Sequence, residues 1–327
     1  MRVAVVGGGA VGLAISYMLA KAGFKVSLYE ASRIFSGASG ASLGILSPTL
    51  AALDGVDPRR AHEALELHKK LSRELGYSIK SLPIYVPLSE VKAALSEALS
   101  AIPAIRWVRI GVGRPGGLGL SLNLGSAFLV DPVEYGEALK KGCVGLGVKI
   151  SEGLEVKTVK LESRHVEVVF RDASERFDAA VIAAGFRSDE VLAALGLKLG
   201  LKPLKGYTVT LEAERRLSYV VGVDPVFIRP HQSLETNIMA GGLKLHSTSA
   251  SIEEDHVNTI LRVVARLGFK GRVSAVRVGI RPCLRKPLES WVAPGVVAAV
   301  GHCRNGILLS PIVAARVVKL LEEGYGV

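Results

Sequence analysis

Residues suited to binding a pyrophosphate follow the first apolar run of the chain, in MRVAVVGGGAVGLAISYMLAKAGFKVSLYE. Gly7, Gly9 and Gly12 fit the spacing G-x-G-x-x-G, which combines a tight turn, close backbone approach to a phosphate, and helix–strand packing. About 20 residues further on, Glu30 could accept hydrogen bonds from both hydroxyls of a ribose. The stretch therefore predicts an adenine dinucleotide site that does not distinguish FAD from NAD. The alternative is a glycine-rich turn without a ligand.

A second helix start that could bind a cofactor lies in AVGHCRNGILLSPIVAARVVKLL (299–321). A buried strand is predicted to end at Gly301, and apolar residues spaced i, i+3, i+4 predict a helix from about Ile307. The amides of Gly306, Ile307 and Leu308 would face outward at its positive end. Because a reduced flavin carries negative charge around N1 and O2, which a nicotinamide lacks, this turn favours a flavin.

Short apolar runs in three separate parts of the chain predict the strands of one buried parallel sheet. These runs are RVAVV (2–6), KVSLYE (25–30), AAVIAAG (179–185) and PGVVAAVG (294–301). The first two, with the helical pattern at 10–22 between them, form a βαβ unit of about 30 residues. The spacing of apolar residues also predicts helices over 59–76, 131–147 and 251–267, and the small polar residues of 35–47 predict a loop.

Alternating apolar and polar residues predict strands of a different, antiparallel sheet in the intervening segments. They occupy residues 83–88, 101–109, 207–213, 219–229 and 236–243, and a small meander is predicted at 154–172. We therefore expect one doubly wound domain that is assembled from three pieces, with a second domain inserted twice.

Composition narrows the class of protein. The net charge of +11 favours anionic ligands, but no run of five basic residues occurs, so no specific nucleic-acid partner is expected. The odd number of cysteines (Cys143, Cys283 and Cys303) and the absence of a CxxC or Cys/His cluster predict three buried thiols, without a disulfide framework or metal site. A reducing, cytoplasmic setting fits this pattern, with peripheral membrane association left open.

Several of these stretches together resemble the D-amino-acid oxidase family of flavoproteins, and within it the glycine oxidases and amino-acid dehydrogenases. The resemblance runs in order through GGGAVGLAISYMLAKAG and VSLYE, SGASGASLGIL, the DPVEY helix, VIAAGFRS, GIRP (279–282) and GHCRNGILLSP. It implies an α/β fold: a Rossmann-like FAD-binding domain plus an α+β substrate domain with an antiparallel sheet. We expect residues 1–78, 130–200 and 272–327 to form the first domain, and 79–129 and 201–271 the second.

The resemblance also implies which residues bind non-covalent FAD. They belong to the first turn and the acid after it, to the loop at 35–47, to a backbone contact with adenine, to the end of the strand at 179–185 and to the C-terminal turn. These residues are Gly7, Gly9, Ala10, Val11, Gly12, Glu30, Ala41, Ser42, Gly44, Ile45, Leu46, Val156, Ala184, Gly185, Gly306, Ile307, Leu308 and Leu309.

The resemblance implies that Arg281 binds a substrate carboxylate. Its guanidinium can form two parallel charge-assisted hydrogen bonds and so fix the substrate Cα. Arg304 and Tyr207 are further candidates for substrate contact. Alternatively, Arg281 is a surface residue before Pro282, Arg304 faces solvent at a helix start, and Tyr207 packs in the core. After GIRP the chain continues CLRKPLES, where many relatives have Thr or Pro and then Asp, so the substrate pocket is expected to differ locally.

The expected reaction is oxidation of the C–N bond of a small amino acid to an imine by hydride transfer to flavin N5. Glycine, a D-amino acid, proline and sarcosine are all possible substrates, and the electron acceptor is oxygen, a quinone or another carrier. Two alternatives stay open: an FAD-containing subunit of a heteromeric amino-acid dehydrogenase, associated with other subunits, and a relative that modifies tRNA.

Overall fold

The computed structural model describes residues 1–90, 111–115, 118–163, 165–232, 234 and 236–326. The strand predicted at 101–109 lies outside these residues. The helices are α1 (Ala10–Lys21), α2 (Pro48–Leu53), α3 (Pro58–Leu75), α4 (Pro132–Gly145), α5 (Ser188–Leu192), α6 (Glu254–Arg266) and α7 (Gly306–Tyr325). The strands are β1 (Arg2–Val6), β2 (Lys25–Glu30), β3 (Ile45–Leu46), β4 (Lys80–Pro87), β5 (Gly111–Gly113), β6 (Ser121–Leu129), β7 (Lys149–Glu152), β8 (Thr158–Leu161), β9 (Val166–Val169), β10 (Ser174–Phe177), β11 (Ala179–Ile182), β12 (Lys202–Ala213), β13 (Val220–Val223), β14 (Val226–Pro230), β15 (Asn237–Gly241), β16 (Leu245–His246), β17 (Gly271–Ala293) and β18 (Val296–His302).

The apolar runs form the parallel sheet that the sequence predicts. Its strand order is β18-β11-β1-β2-β7, and each neighbouring pair is parallel. Strands β11 and β18 are buried along their whole length because helices cover one face of the sheet and the β8–β10 meander packs on the other, which explains their uninterrupted apolar sequence. The meander is present as the separate antiparallel sheet β10-β9-β8.

The prediction of a different sheet for the alternating segments is wrong in one respect. Strands β6, β4, β13, β14, β15 and β12 continue the hydrogen-bonded path of the parallel sheet. The continuity comes from β17, which pairs with β12 through Gly271 to Cys283 and with β18 from Cys283 to Ala293. The amino-acid composition of β17 does not change where its pairing passes from β12 to β18.

Three of the helices begin where the sequence supplies a cap, α2 after Ser47 and the other two after aspartate. The Asp57 side chain accepts from Arg59 N (2.8 Å) before α3, and the Asp131 side chain accepts from Val133 N (2.8 Å) before α4. Both helices then have proline at their first position.

The largest hydrophobic cluster joins α1, α3, α4 and α7 to one face of the parallel sheet. A second cluster lies between α6 and strands β12 to β15. A third cluster lies on the opposite face of the parallel sheet, so separate clusters do not by themselves mark domains, and the division into two domains stays a prediction. Among the described residues, no helix has both the length and the apolar composition to cross a bilayer.

Candidate functional site

The N-terminal glycine turn lies between β1 and α1 and is held by the predicted ribose acid. Glu30 Oε2 accepts from Gly8 N (2.7 Å), and Glu30 Oε1 accepts from Ser32 N (2.9 Å). At Gly12, a Cβ would lie 1.8 Å from Gly7 O, so only glycine allows the helix to come this close to the turn. The start of α1 and the carboxylate of Glu30 therefore lie close together, at the ends of β1 and β2.

The C-terminal turn consists of a short 3₁₀ segment, Cys303–Asn305, that leads into α7 at Gly306. A carbonyl of the first helical turn, Ile307 O, accepts from His68 Nε2 (2.7 Å) and from the Ser310 hydroxyl (2.7 Å). Complete burial lowers the pKa of His68 to about 4, so this histidine is neutral at physiological pH. The hydrogen bond from His68 thereby connects the start of α7 to α3.

Both turns open into one cavity of about 1610 Å³. This volume exceeds the usual range of about 300–1,000 Å³ for a small-ligand pocket, which leaves room for a dinucleotide and a substrate. The predicted residues that line it are Gly7, Gly9, Ala10, Val11, Glu30, Ala41, Ser42, Ile45, Val156, Ala184, Gly185, Tyr207, Arg281, Arg304, Gly306 and Ile307. The predicted residues outside its lining are Gly12, Gly44, Leu46, Leu308 and Leu309.

Arg281 lies on β17 with one nitrogen anchored. Its Nη2 donates to Gly242 O (2.6 Å) and Leu243 O (2.8 Å). Burial and, to a smaller extent, the charge of Arg304 lower the pKa of Arg281 to about 10, although the Asp54 carboxylate opposes the shift. The side chain therefore stays charged at neutral pH. Within the described residues its hydrogen bonds use only Nη2, so Nε and Nη1 can bind an anion in the cavity.

Arg304 is paired with an acid that the sequence did not single out. Its Nε donates to Asp54 Oδ2 (3.1 Å), and Nη2 donates to Asp54 Oδ1. Asn305 Nδ2 donates to the same carboxylate (3.2 Å). Asp54 follows α2 and itself lines the cavity, so the charge of Arg304 is largely compensated.

Tyr207 lines the cavity, while its hydroxyl donates to Glu253. The same carboxylate accepts from Lys205 Nζ (2.7 Å), whose side chain is only 1% exposed. Hydrogen bonds from Lys205, Tyr207 and Ser251 hold the pKa of Glu253 well below its usual value. The hydroxyl of Tyr207 thus belongs to a polar cluster at the start of α6.

A buried charged group next to the cavity was also missed. Glu289 accepts from His302 Nε2 (2.9 Å) and from Arg60 Nη2 (2.6 Å). Burial raises the pKa of Glu289, but these hydrogen bonds outweigh burial and hold the pKa below its ordinary value. Because Arg60 lies on α3 and Glu289 on β17, no local sequence spacing could indicate this triad.

The expectation of three buried thiols is wrong for two cysteines. Cys283 and Cys303 form a disulfide, and only Cys143 is a free, buried thiol. The antiparallel pairing of β17 with β18 places Cys283 opposite His302, beside Cys303, which sequence distance conceals. The cysteine count therefore gives no argument for a reducing compartment. In the described part of the chain, no group of His, Cys, Asp and Glu has the arrangement of a metal site.

Comparison with known proteins defines the class. The family model of FAD-dependent oxidoreductases (DAO) matches residues 2–320, and the chain belongs to this family. The chain is 26% identical to the glycine oxidase of Geobacillus kaustophilus, covering 98% of this chain and 93% of that protein. It is 27% identical to the bifunctional protein ThiO/ThiG of Synechocystis, covering 98% of this chain and 51% of that protein.

The solved structures agree with the fold. The crystal structure of glycine oxidase from Geobacillus kaustophilus superposes with a TM-score of 0.85 at 24% identity, covering 98% of this chain and 95% of that chain. The family resemblance and the fold class that the sequence predicts are thus confirmed. The protein is an FAD-dependent oxidoreductase.

Proposed function

We propose that this protein oxidises the C–N bond of a small amino acid to an imine, with FAD bound non-covalently in the cavity. The observation that carries the proposal is the position of Arg281 in the cavity that the N-terminal glycine turn and the C-terminal turn line. Its guanidinium is charged and keeps N–H groups that form no hydrogen bond to the described residues. The names of the relatives, glycine oxidase among them, support an amino acid as the substrate.

The residues present fit FAD. Glycine at position 12 allows the close approach of α1, and Glu30 faces the cavity with a carboxylate suited to a ribose. At the other end, the amides of Gly306 and Ile307 lie at the start of α7, where the helix dipole favours negative charge. The bound flavin supplies a two-electron acceptor for the hydride that leaves the substrate Cα.

The protein's own contribution is mainly to position the substrate. Arg281 would bind the α-carboxylate through charge-assisted hydrogen bonds from the N–H groups that the Gly242 and Leu243 carbonyls leave free, which helps to fix the position of Cα. Among the described residues that line the cavity, Arg304 is compensated by Asp54 and Arg187 by Glu155 and Glu190, which leaves Arg281 as the arginine available for one carboxylate. This balance favours an amino acid with a single carboxylate, and glycine is the first substrate to test.

Purified protein loaded with FAD should be assayed with glycine, sarcosine and both enantiomers of alanine and proline. Each substrate is tested with oxygen, by release of hydrogen peroxide, and with an artificial dye under nitrogen. Turnover with oxygen identifies an oxidase, and turnover with dye alone identifies a dehydrogenase that needs another carrier. If no amino acid reduces the flavin under either condition, the proposed activity is wrong, and salt-sensitive tRNA binding would then favour the alternative substrate.

A further inference from the structure

The Cys283–Cys303 disulfide connects the two segments that carry the cavity arginines. Cys283 comes two residues after Arg281 on β17, and Cys303 comes directly before Arg304 in the turn that leads into α7. Cys303 lines the cavity, whereas Cys283 is only 8% exposed. The bond therefore lies at the wall of the proposed substrate pocket.

Backbone pairing between these two segments is interrupted next to the disulfide. The ladder between β17 and β18 pairs Cys283 with His302 and then shifts register, resuming only at Leu288 and Val300. The intervening residues, 284–287, have no partner on β18. At this opening in the ladder the disulfide is the covalent connection between the strand and the turn.

The backbone at Cys303 is in an unusual conformation. Its φ is +50°, in the left-handed region that residues other than glycine seldom adopt. Such a conformation is unfavourable for a residue with a side chain and persists only where the surrounding structure imposes it. The bond to Cys283 is one such constraint, and the next residue in the chain is Arg304.

We propose that the Cys283–Cys303 disulfide positions Arg281 for the carboxylate of the substrate by fixing β17 against the turn that carries the Arg304–Asp54 pair. The proposal rests on the proposed function. Arg281 is held on one side by the carbonyls of Gly242 and Leu243, and Arg304 is held by Asp54. The disulfide fixes the distance between the two segments, which neither set of hydrogen bonds does.

No redox step of the disulfide is needed during turnover. Formation removes two electrons and two protons from the two thiols, and another disulfide can take them up by thiol exchange. Reduction by a dithiol reverses this: the S–S bond breaks, two thiols form and the reductant becomes a cyclic disulfide. Because Cys303 lines the cavity, a small reductant can reach the bond.

The first experiment measures the covalent state. Protein purified without reductant, denatured and treated with a thiol-specific alkylating agent should take up one label, at Cys143, and three labels after reduction. The Cys143→Ala variant serves as the control and should take up none before reduction. Labelling of all three cysteines in the unreduced wild type would overturn the proposal whatever the protein's activity.

The second experiment separates positioning from stability. The samples are Cys283→Ser, Cys303→Ser, the double variant, and wild type that has been reduced and desalted. In each of them we expect KM for the amino acid to rise at least about tenfold, while kcat and FAD content change less than about threefold. Reduced and desalted Cys143→Ala should show the same rise, whereas unreduced Cys143→Ala should match wild type. A lower melting temperature with unchanged KM would show a purely stabilising role and contradict the proposal.

A binding measurement keeps the two proposals distinguishable. If no amino acid is turned over, glycolate, a carboxylate that lacks the amine, is titrated into the FAD-loaded protein while the flavin spectrum is recorded. Weaker glycolate binding after reduction of the disulfide supports the positioning role even though the proposed reaction has failed. Equal binding before and after reduction contradicts it.

Discussion

Gly206 on β12 provides the space that the guanidinium of Arg281 occupies on the neighbouring strand β17. A Cβ at position 206 would lie 1.5 Å from Arg281 Nη2 and 2.6 Å from its Cζ, far inside van der Waals contact. Ladder pairing places Gly206 opposite Gly279, two residues before Arg281. The orientation of the proposed carboxylate ligand therefore depends on a neighbouring residue without a side chain.

Substitution of Gly206 by alanine should displace Arg281 and raise KM for the amino acid by about tenfold or more, because the guanidinium loses its fixed geometry. FAD content should stay near that of wild type. Gly145→Ala is the matched control, since a Cβ there meets no atom within 4 Å. Steady-state kinetics of both variants test this, and an unchanged KM in Gly206→Ala would show that Arg281 does not act from its observed position.

Arg281→Ala should raise KM for carboxylate substrates by one to three orders of magnitude, which corresponds to about 1.4–4 kcal/mol. Arg281→Lys should recover only part of the loss, because an ammonium group cannot replace a planar guanidinium that is anchored on the Gly242 and Leu243 carbonyls while its other donors bind a carboxylate. Arg285→Ala, at an exposed position further along β17, should behave as wild type. Equal kinetics for Arg281→Ala and Arg285→Ala would remove Arg281 from the substrate site.

Glu30→Ala should weaken FAD binding by about ten- to hundredfold, because hydrogen bonds to a charged group contribute about 1.5–3 kcal/mol. Glu30 also binds Gly8 N and Ser32 N, so the turn loses its anchor at the same time. Equilibrium titration of flavin-free protein with FAD measures the change. Glu63→Ala, at an exposed position on α3, is the control, and full FAD retention in Glu30→Ala would exclude the ribose role.

His68 predicts a pH dependence of stability. Burial lowers its pKa from 6.5 to about 4, so the unfolded chain binds a proton between these values and the folded chain does not. Stability should therefore fall by about 3 kcal/mol as the pH drops from above 6.5 to below 4. Thermal unfolding across this range should show a steeper loss for wild type than for His68→Gln. Parallel curves would mean that His68 titrates normally.

The sequence was sufficient for the parts of the site that depend on local spacing. The glycine pattern and Glu30 are separated by one βαβ unit, whose geometry is the same in many proteins, so their positions at one cavity could be predicted. The turn before α7 was likewise recognisable, since its strand, its small residues and its helix follow one another directly.

Contacts between distant segments could not be predicted. The pairing of Arg304 with Asp54, of Arg60 with Glu289, and of Cys283 with Cys303 depends on how α2, α3, β17 and the C-terminal turn meet. The continuity of the sheet through β17 was missed for a similar reason. An extended strand of 23 residues can exchange one partner for another without any change in its own pattern.

The most direct test of the account is anaerobic titration of the FAD-loaded protein with glycine and the other small amino acids while the flavin absorption is recorded. We predict that at least one of them bleaches the long-wavelength flavin band in wild type, and that Arg281→Ala needs a far higher concentration for the same bleaching. A flavin that dithionite reduces but that none of these amino acids reduces would contradict the account.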